Sequence, residues 1–475
     1  MQIPFVGPAY SVRSSNLDAQ RTVNLYPVMD ETGEGKSVKA LYGCPGTRLL
    51  VTLPGSGGIR AAYRPASGDA IVVHGASVYR VTSAWAYTLV GSLSTSAGVV
   101  SIKDNGTTAV LVDGGNGYTL NLASNSFAQI SDAAFYGADY VDFLDSYLIF
   151  NRPGTFQFYI SGQYDVTFDA LDFASVEGSA EPIVRHIVDH REIWFFKRTS
   201  TSIYVDSGGA DFPFSRTQTS IEVGCAAPDS VCKLDNSLVW LGQDSTGSTM
   251  VWRANGYTPT RISTEAIDHA IQGYSAVEDA FAYTYQQEGH AFYVLTFPTA
   301  NATWVFDAFT GQWHERAWRD PADGSLNRHR SNCHMYFGGE HVVGDFENGN
   351  LYALDLDYFS DNGDPLPAIR AAGHVSNPDY LWMIFDALQV DMETGVGLQS
   401  GQGSEPNAVL EWSDDGGHTW GNQRQTSMGR VGKYRARARW TRMGRSRDRI
   451  FRLTISDPVK RVILGASAKV RICAS

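Results

Sequence analysis

Short, strongly apolar runs separated by polar turns recur along this chain of 475 residues, and few stretches carry helical periodicity. The segment SAVEDAFAYTYQ (275–286) reads either as a turn or two of helix or as the start of a strand. The runs repeat. A turn with an acidic residue precedes an apolar strand at Asp69 (DAIVVHG), Asp104 (DNGTTAVLV), Asp145 (DSYLIF), Asp189 (DHREIWFF), Asp235 (DNSLVWLG), Glu288 (EGHAFYVL) and Glu340 (EHVVGDF). The steps between them are 35, 41, 44, 46, 53 and 52 residues. After each comes a second strand with an aromatic following a small or polar residue, from SVYRV at 77 to NLYALD at 349.

A step of roughly 40–50 residues holding about four short strands predicts a β-propeller blade. One blade cannot bury both faces of its small sheet, and closing blades into a ring does so while leaving few free edges. The fold expected is all-β: a six- or seven-bladed β-propeller over 59–365, followed by a C-terminal antiparallel β-sandwich. The first unit is short and the last two are long, which leaves the count open. A set of irregular sandwiches is the competing reading. The turn-rich SDNGDPLP (360–367) marks the change, and five or so alternating β runs after it place the sandwich at 371–475. Residues 1–58 read as an extended segment, with Pro27 and Pro45, that packs on the propeller or supplies its closing strand.

Composition is that of a folded chain, with 43% apolar and only 19% charged residues. The N-terminus lacks a basic start followed by an apolar run, and no stretch approaches a membrane span, so synthesis in a cytoplasm and no membrane insertion are expected. Five cysteines without a C-x-x-C pair fit free thiols rather than a disulfide framework or a zinc site.

Candidate chemistry is sparse. The stretch EWSDDGGHTWGN (411–422) contains an Asp-box, Ser413-x-Asp415-x-Gly417-x-Thr419-Trp420, a pattern found on hairpins of sialidases and other propeller proteins. Its physics is structural: Asp415 can hold turn N–H groups, Gly416 and Gly417 supply positive φ, and Trp420 can pin the hairpin to the sheet behind it. A sialidase would carry several boxes within its propeller, an arginine cluster and a Tyr/Glu pair. Here one box lies outside the repeats and no arginine cluster is evident. The carboxylate pairs Asp414/Asp415, Asp355/Asp357 and Asp139/Asp142 sit in turns, where solvated caps are the common case. His186 and His190 have a helical metal spacing, but on a strand they would stand about 13 Å apart. No nucleophile elbow and no phosphate-binding loop is present. No catalytic residue, metal or cofactor is therefore assigned.

The charge distribution is more informative. The net charge is −12, yet beyond Gly421 fifteen basic residues face only Asp448 and Asp457. In KYRARARWTRMGRSRDR, Arg435, Arg437 and Arg439 alternate with Ala436, Ala438 and Trp440, which predicts an arginine face and an inward face on one strand. With Arg442, Arg445 and Arg447 they form a candidate docking set. Its partner is an acidic subunit or DNA phosphate, unless the face is only solvated. Tight DNA binding would obstruct a protein that lets DNA slide.

At this point the chain resembles a family, the packaged-DNA stabilisation proteins of short-tailed phages, also called tail hub or nozzle proteins. The resemblance runs from about Asn16 to the end. It rests on RTVNLYP (21–27), LYGCPGTR (41–48), GCAAPDSVCKLDNSLVWLG (224–242), ANGYTPTRIST (254–264), VFDAFTGQWHER (305–316) and the closing segment 412–464. Cys44 departs from the small polar residue expected before Pro45, without bearing on function. The resemblance implies a virion structural protein of the tail, assembled in the host cytoplasm, and no catalysis. It implies a hexameric ring below the portal and its adaptor that closes the DNA channel after packaging and conducts double-stranded DNA at ejection. It also implies partners: other copies of itself, the portal-adaptor protein, tailspikes or fibres, and a plug or needle. The competing class is a propeller glycosidase, or a sugar-binding tail protein, acting on host surface polysaccharide.

Overall fold

A computed structural model describes residues 1–473 other than 179, 210 and 245. Among the described residues the chain is nearly all strand, with one α-helix, Glu265–Gln272, and one short 3-10 turn, Pro228–Ser230. Six blades are built from consecutive strands, four in each except the fifth, where a short extra strand, Cys232–Leu234, pairs with Ser237–Gln243. The first runs Ile59–Tyr63, Ala70–His74, Ser77–Val81 and Tyr87–Ser92. The third runs Val141–Leu144, Tyr147–Asn151, Gln157–Ile160 and Phe173–Ser175. The sixth runs Phe281–Gln287, His290–Phe297, Ala302–Asp307 and Gln312–Glu315. A seventh sheet closes the ring: Ser331–Phe337, Glu340–Asp345 and Asn350–Asp355, completed by Gly46–Thr52 from the start of the chain. Its first strand, Ser331–Phe337, packs beside the first strands of both the sixth and the first blade.

The repeat read from the sequence has a backbone cause. The hairpins that open the third to sixth blades turn through two residues with positive φ: Asp145–Ser146, His190–Arg191, Asp235–Asn236 and Glu288–Gly289. A two-residue turn of this kind matches the twist of the strands and favours Asp, Asn and Gly. Neighbouring blades are then stitched by carboxylates on the inner strands. Asp104 accepts from the Tyr63 hydroxyl at 2.7 Å. Asp142 meets Lys103 at 2.7 Å on one side and accepts from Val188 N–H at 2.7 Å on the other. Burial would raise the Asp142 carboxyl, but Lys103 and that N–H bring it below the ordinary range. Between blades the apolar layer is continuous, with Phe150, Phe158, Phe195, Phe196, Trp240 and Tyr293 fully buried. Each such side chain contributes about 2–3 kcal/mol of transfer free energy.

The segment 275–286 resolves as a turn leading into the strand Phe281–Gln287, and the helix lies just before it. Thr264 caps that helix, accepting from Ile267 N–H at 3.4 Å.

The sandwich has two sheets. One is ordered Leu25–Met29, Lys39–Gly43, Val462–Ile472, Met383–Met392, Ala438–Thr441. The other is ordered Ala19–Val23, Ala368–Ala371, Asp448–Ile455, Asn407–Ser413, Arg424–Ser427. Phe5, Leu25, Leu41, Phe385, Leu388, Leu410, Trp440 and Phe451 fill the space between them. The N-terminal segment is thus shared: Gly46–Thr52 closes the propeller, while strands before it belong to the sandwich sheets. The last two residues, 474 and 475, lie outside the described residues.

The modules meet at the sixth and seventh blades. Ala19–Val23 runs parallel to Gln312–Glu315, and Ser360–Asp361 runs parallel to the closing strand. Buried Arg461 donates to Phe359 O at 3.0 Å and to Leu366 O. Asp361 beside it accepts from Thr47 Oγ1 at 3.0 Å, and burial pushes its carboxyl up to about 7 against that bond and Arg461.

Candidate docking surface on the sandwich

The Asp-box is the turn between Asn407–Ser413 and Arg424–Ser427, the outermost hairpin of its sheet. Ser413 Oγ donates to Asp415 Oδ1 at 2.6 Å and accepts from Gly417 N–H at 2.8 Å. Thr419 donates to the same carboxylate through its N–H at 2.9 Å and its hydroxyl at 2.5 Å. These bonds, from Ser413 first and Thr419 next, hold the carboxyl far below its ordinary range. Gly416 and Gly417 have φ of 73° and 93°, as the turn requires. Asp415 is therefore occupied with its own hairpin. Trp420 is half-exposed, with the Arg452 guanidinium 3.9 Å above its ring. The buried pin is Trp440, whose Nε1 donates to Arg424 O at 2.8 Å and joins the edge strands of the two sheets.

The basic run departs from its predicted form. Only Arg439 of Arg435, Arg437 and Arg439 lies in a strand, which begins at Ala438. Before it the chain turns twice, with Lys433 N–H on Arg430 O at 2.9 Å and Ala436 N–H on Lys433 O at 3.1 Å. Gly429 and Gly432, at φ of 86° and 82°, make those turns possible. All three arginines are still exposed, and Ala438 and Trp440 still point inward.

The structure sorts the basic residues of this module. Arg449 holds Asp414 at 2.6 and 2.8 Å, Arg452 holds Glu411 at 2.9 Å, and Arg471 holds Asp386 at 2.7 Å. Arg461 is inside. Arg435, Arg437, Arg439, Arg442, Arg445 and Arg447 are exposed, and among the described residues none of the six has a carboxylate partner. Arg445 and Arg447 stack over Trp382 at 4.8 and 5.0 Å. Tyr434 and Val431 are exposed in the preceding turns. The result is a cationic corner with an apolar centre, where the outermost strands of both sheets meet.

The other sequence candidates are spread apart. Asp142 and Asp355 serve internal ion pairs, the latter with Arg48 at 2.9 Å. His186 is buried on its strand, and His190 lies in the hairpin turn bonded to Asp189. Among the described residues no group of His, Cys, Asp and Glu forms a metal ligand set. Among the described residues no helix is long and apolar enough to cross a membrane.

One feature escaped the sequence. A cavity of about 680 Å³ on the propeller axis brings Arg60, Arg185 and Arg328 together with Asp229 and Asp279. Arginines are thus clustered here after all, from positions too far apart in sequence to be linked. Arg60 is consumed by the carbonyls of Gly75, Thr95, Ala97 and Gly98. Arg185 and Arg328 stack on Tyr140 and Phe346, each at 3.8 Å. Tyr63 also lines the cavity, but burial and then its bond to Asp104 drive its hydroxyl far above the ordinary range, the reverse of an activated nucleophile.

A propeller closed by its own N-terminal strand, carrying a sandwich with a cationic corner, defines a two-module β protein. Residues 1–359 match the sequence model described as bacteriophage P22 Gp10, beta-propeller, and residues 369–471 match that described as bacteriophage P22 Gp10, beta-sandwich. The chain belongs to this family of phage tail proteins that stabilise packaged DNA, and it is a structural component of the virion. No curated protein sequence matches. Solved structures overlap loosely. The designed protein Ika8 shares 11% identity over 73% of this chain and all of its own, with a TM-score of 0.37. PorZ of the type-IX secretion system of Porphyromonas gingivalis shares 13% over 79% of this chain and 46% of its own, at 0.38. A chain of the mitotic checkpoint complex shares 9% over 66% and 93%, at 0.42.

Proposed function

We propose that the chain is the ring-forming hub, or nozzle, of a short-tailed phage. Hexameric copies would sit below the portal and its adaptor, close the DNA channel after packaging and conduct DNA at ejection. Family membership over both modules supports a tail structural role. The observation that carries the docking part is the arginine corner, six exposed guanidinium groups without a carboxylate partner among the described residues. Such a surface gains most by meeting acidic protein, either a neighbouring copy or the adaptor. Tailspikes or fibres and a plug or needle would attach elsewhere on the ring. The acidic remainder of the chain, turned towards the channel, would keep passing DNA from adhering.

The test is assembly. R435E/R437E/R439E should fold as the parent does, by circular dichroism and melting, and should lose the ring in sedimentation velocity, alone and with the adaptor. Normal rings from this variant would defeat the proposal. A sugar-binding or glycosidase reading has one observation in its favour, Arg185 and Arg328 at the axial cavity. It predicts cleavage or retention of host polysaccharide that R185A and R328A abolish.

A further inference from the structure

The cationic corner has a counterpart on the same molecule. Between Arg152 and Arg185 the chain has no Lys or Arg, but carries Asp165, Asp169, Asp172, Glu177 and Glu181. The first three lie between the last two strands of the third blade, and among the described residues none of them has an ion-pair partner. Burial, and then the like charge of its neighbour Asp169, raise the Asp172 carboxyl, and no cation of the same stretch offsets them. Another base-free stretch, 331–369, differs. There Arg48 answers Glu340 and Asp355, and Arg330 answers Asp345 and Glu347.

The acidic edge is also apolar. Tyr164 is 69% exposed, Leu171 80% and Phe173 42%. Phe173–Ser175 is the outermost strand of its blade, with one side unpaired. Large exposed apolar side chains beside unmatched charge mark a contact surface rather than a solvated rim.

Topology keeps the two patches apart within one chain. The sandwich joins the propeller at the sixth and seventh blades, and the third blade is three blades away in either direction. Within the sandwich, Arg424–Ser427 and Ala438–Thr441 are the strands furthest from that junction. Among the described residues no ion pair joins the acidic edge to the cationic corner, so the two patches do not neutralise each other within one chain. Two different, complementary patches on separate modules suit a head-to-tail contact, which closes into a ring when the rotation between copies allows.

We infer that the cationic corner of one copy, Val431 to Arg447, docks on the outer edge of the third blade of the next, with Asp165, Asp169 and Asp172 facing the arginines and Leu171 and Phe173 meeting Tyr434 and Val431. The inference rests on the hub reading above and names the partner of its arginine corner: a second copy of this chain.

Charge exchange in the full-length protein tests it. D165K/D169K/D172K should lose self-association in sedimentation velocity to the same extent as R435E/R437E/R439E, by roughly tenfold or more in apparent affinity. The chain carrying both sets should regain it. L171R, which removes no turn-forming bond, should weaken association alone. In assembled tails, carbodiimide should join Lys433 of one copy to an acid of 165–172 in another. If the arginine variant fails to assemble while the aspartate variant and L171R assemble normally, the copy-to-copy assignment falls and the hub reading stands. If both variants assemble normally, both fall. A corner that loses only salt-sensitive DNA binding on reversal is a nucleic-acid face, and that also overturns the inference. So does a wild-type chain that neither associates nor gives the cross-link.

Discussion

At the scale of single residues, charge has two fates in this molecule. Some charges are internal and structural. Arg370 is buried and donates to Phe5 O and Pro8 O at 2.7 and 2.8 Å, fixing the first residues against the sandwich, and burial lowers its guanidinium to about 9. Asp361 is the titratable member at the module junction. Its folded pKa, about 7, lies above the ordinary carboxyl value of 3.8. The folded state thus holds this proton across a range where the unfolded chain has released it, so this group's contribution is present at low pH and is lost as pH rises through that interval. D361N should flatten the decline in melting temperature between about pH 4 and pH 7. A parallel decline in wild type and variant would contradict the assignment. In the Asp-box the expectation is local. D415A should speed hydrogen exchange at the Gly417 and Thr419 amides and leave the propeller unchanged. Other charges, the six exposed arginines, have no carboxylate partner among the described residues, and the functional reading depends on them.

At the scale of elements, stability comes from stitching short strands that are marginal alone. Lys103, half-buried, and Asp142, buried, join the second and third blades. K103M leaves that carboxylate without its cation and should cost roughly 3 kcal/mol, read by urea denaturation. The ring also depends on its closing strand. A side chain at Gly46 would sit 2.1 Å from Tyr358 O, so G46A should force this strand off its partner and expose the seventh blade to proteolysis. Elements whose information is local were legible in the sequence. The blade repeat showed because two-residue turns select Asp, Asn and Gly and inner strands are apolar throughout. The Asp-box showed because its spacing is its geometry. The arginine run misled in part, because R-A-R-A-R has the period of a strand while Gly429 and Gly432 turn the chain before Ala438. The helix at 265–272 is a short element whose only local signals are its Thr264 cap and Gly273 stop. Ala19–Val23 finds its partner at Ala368–Ala371, and Arg185 finds Arg328 across the propeller axis. Pairings at such separations leave no local pattern.

At the scale of the whole molecule, the chain is polarised. A mostly acidic ring of blades carries a sandwich whose outermost corner is cationic, and no ion pair among the described residues joins that corner to the acidic edge of the third blade. This polarity favours association through unlike surfaces, and such contacts weaken as salt screens them. Raising salt should therefore dissociate the proposed ring before it unfolds the monomer, with the sedimentation change preceding any change in circular dichroism. The most direct test of the docking claim is a map of the assembled tail at side-chain resolution. The account predicts a closed ring in which Arg435, Arg437 and Arg439 of each copy lie within ion-pair distance of carboxylates on a neighbouring copy or on the adaptor. Arginines facing open solvent or the DNA path in that map would contradict it.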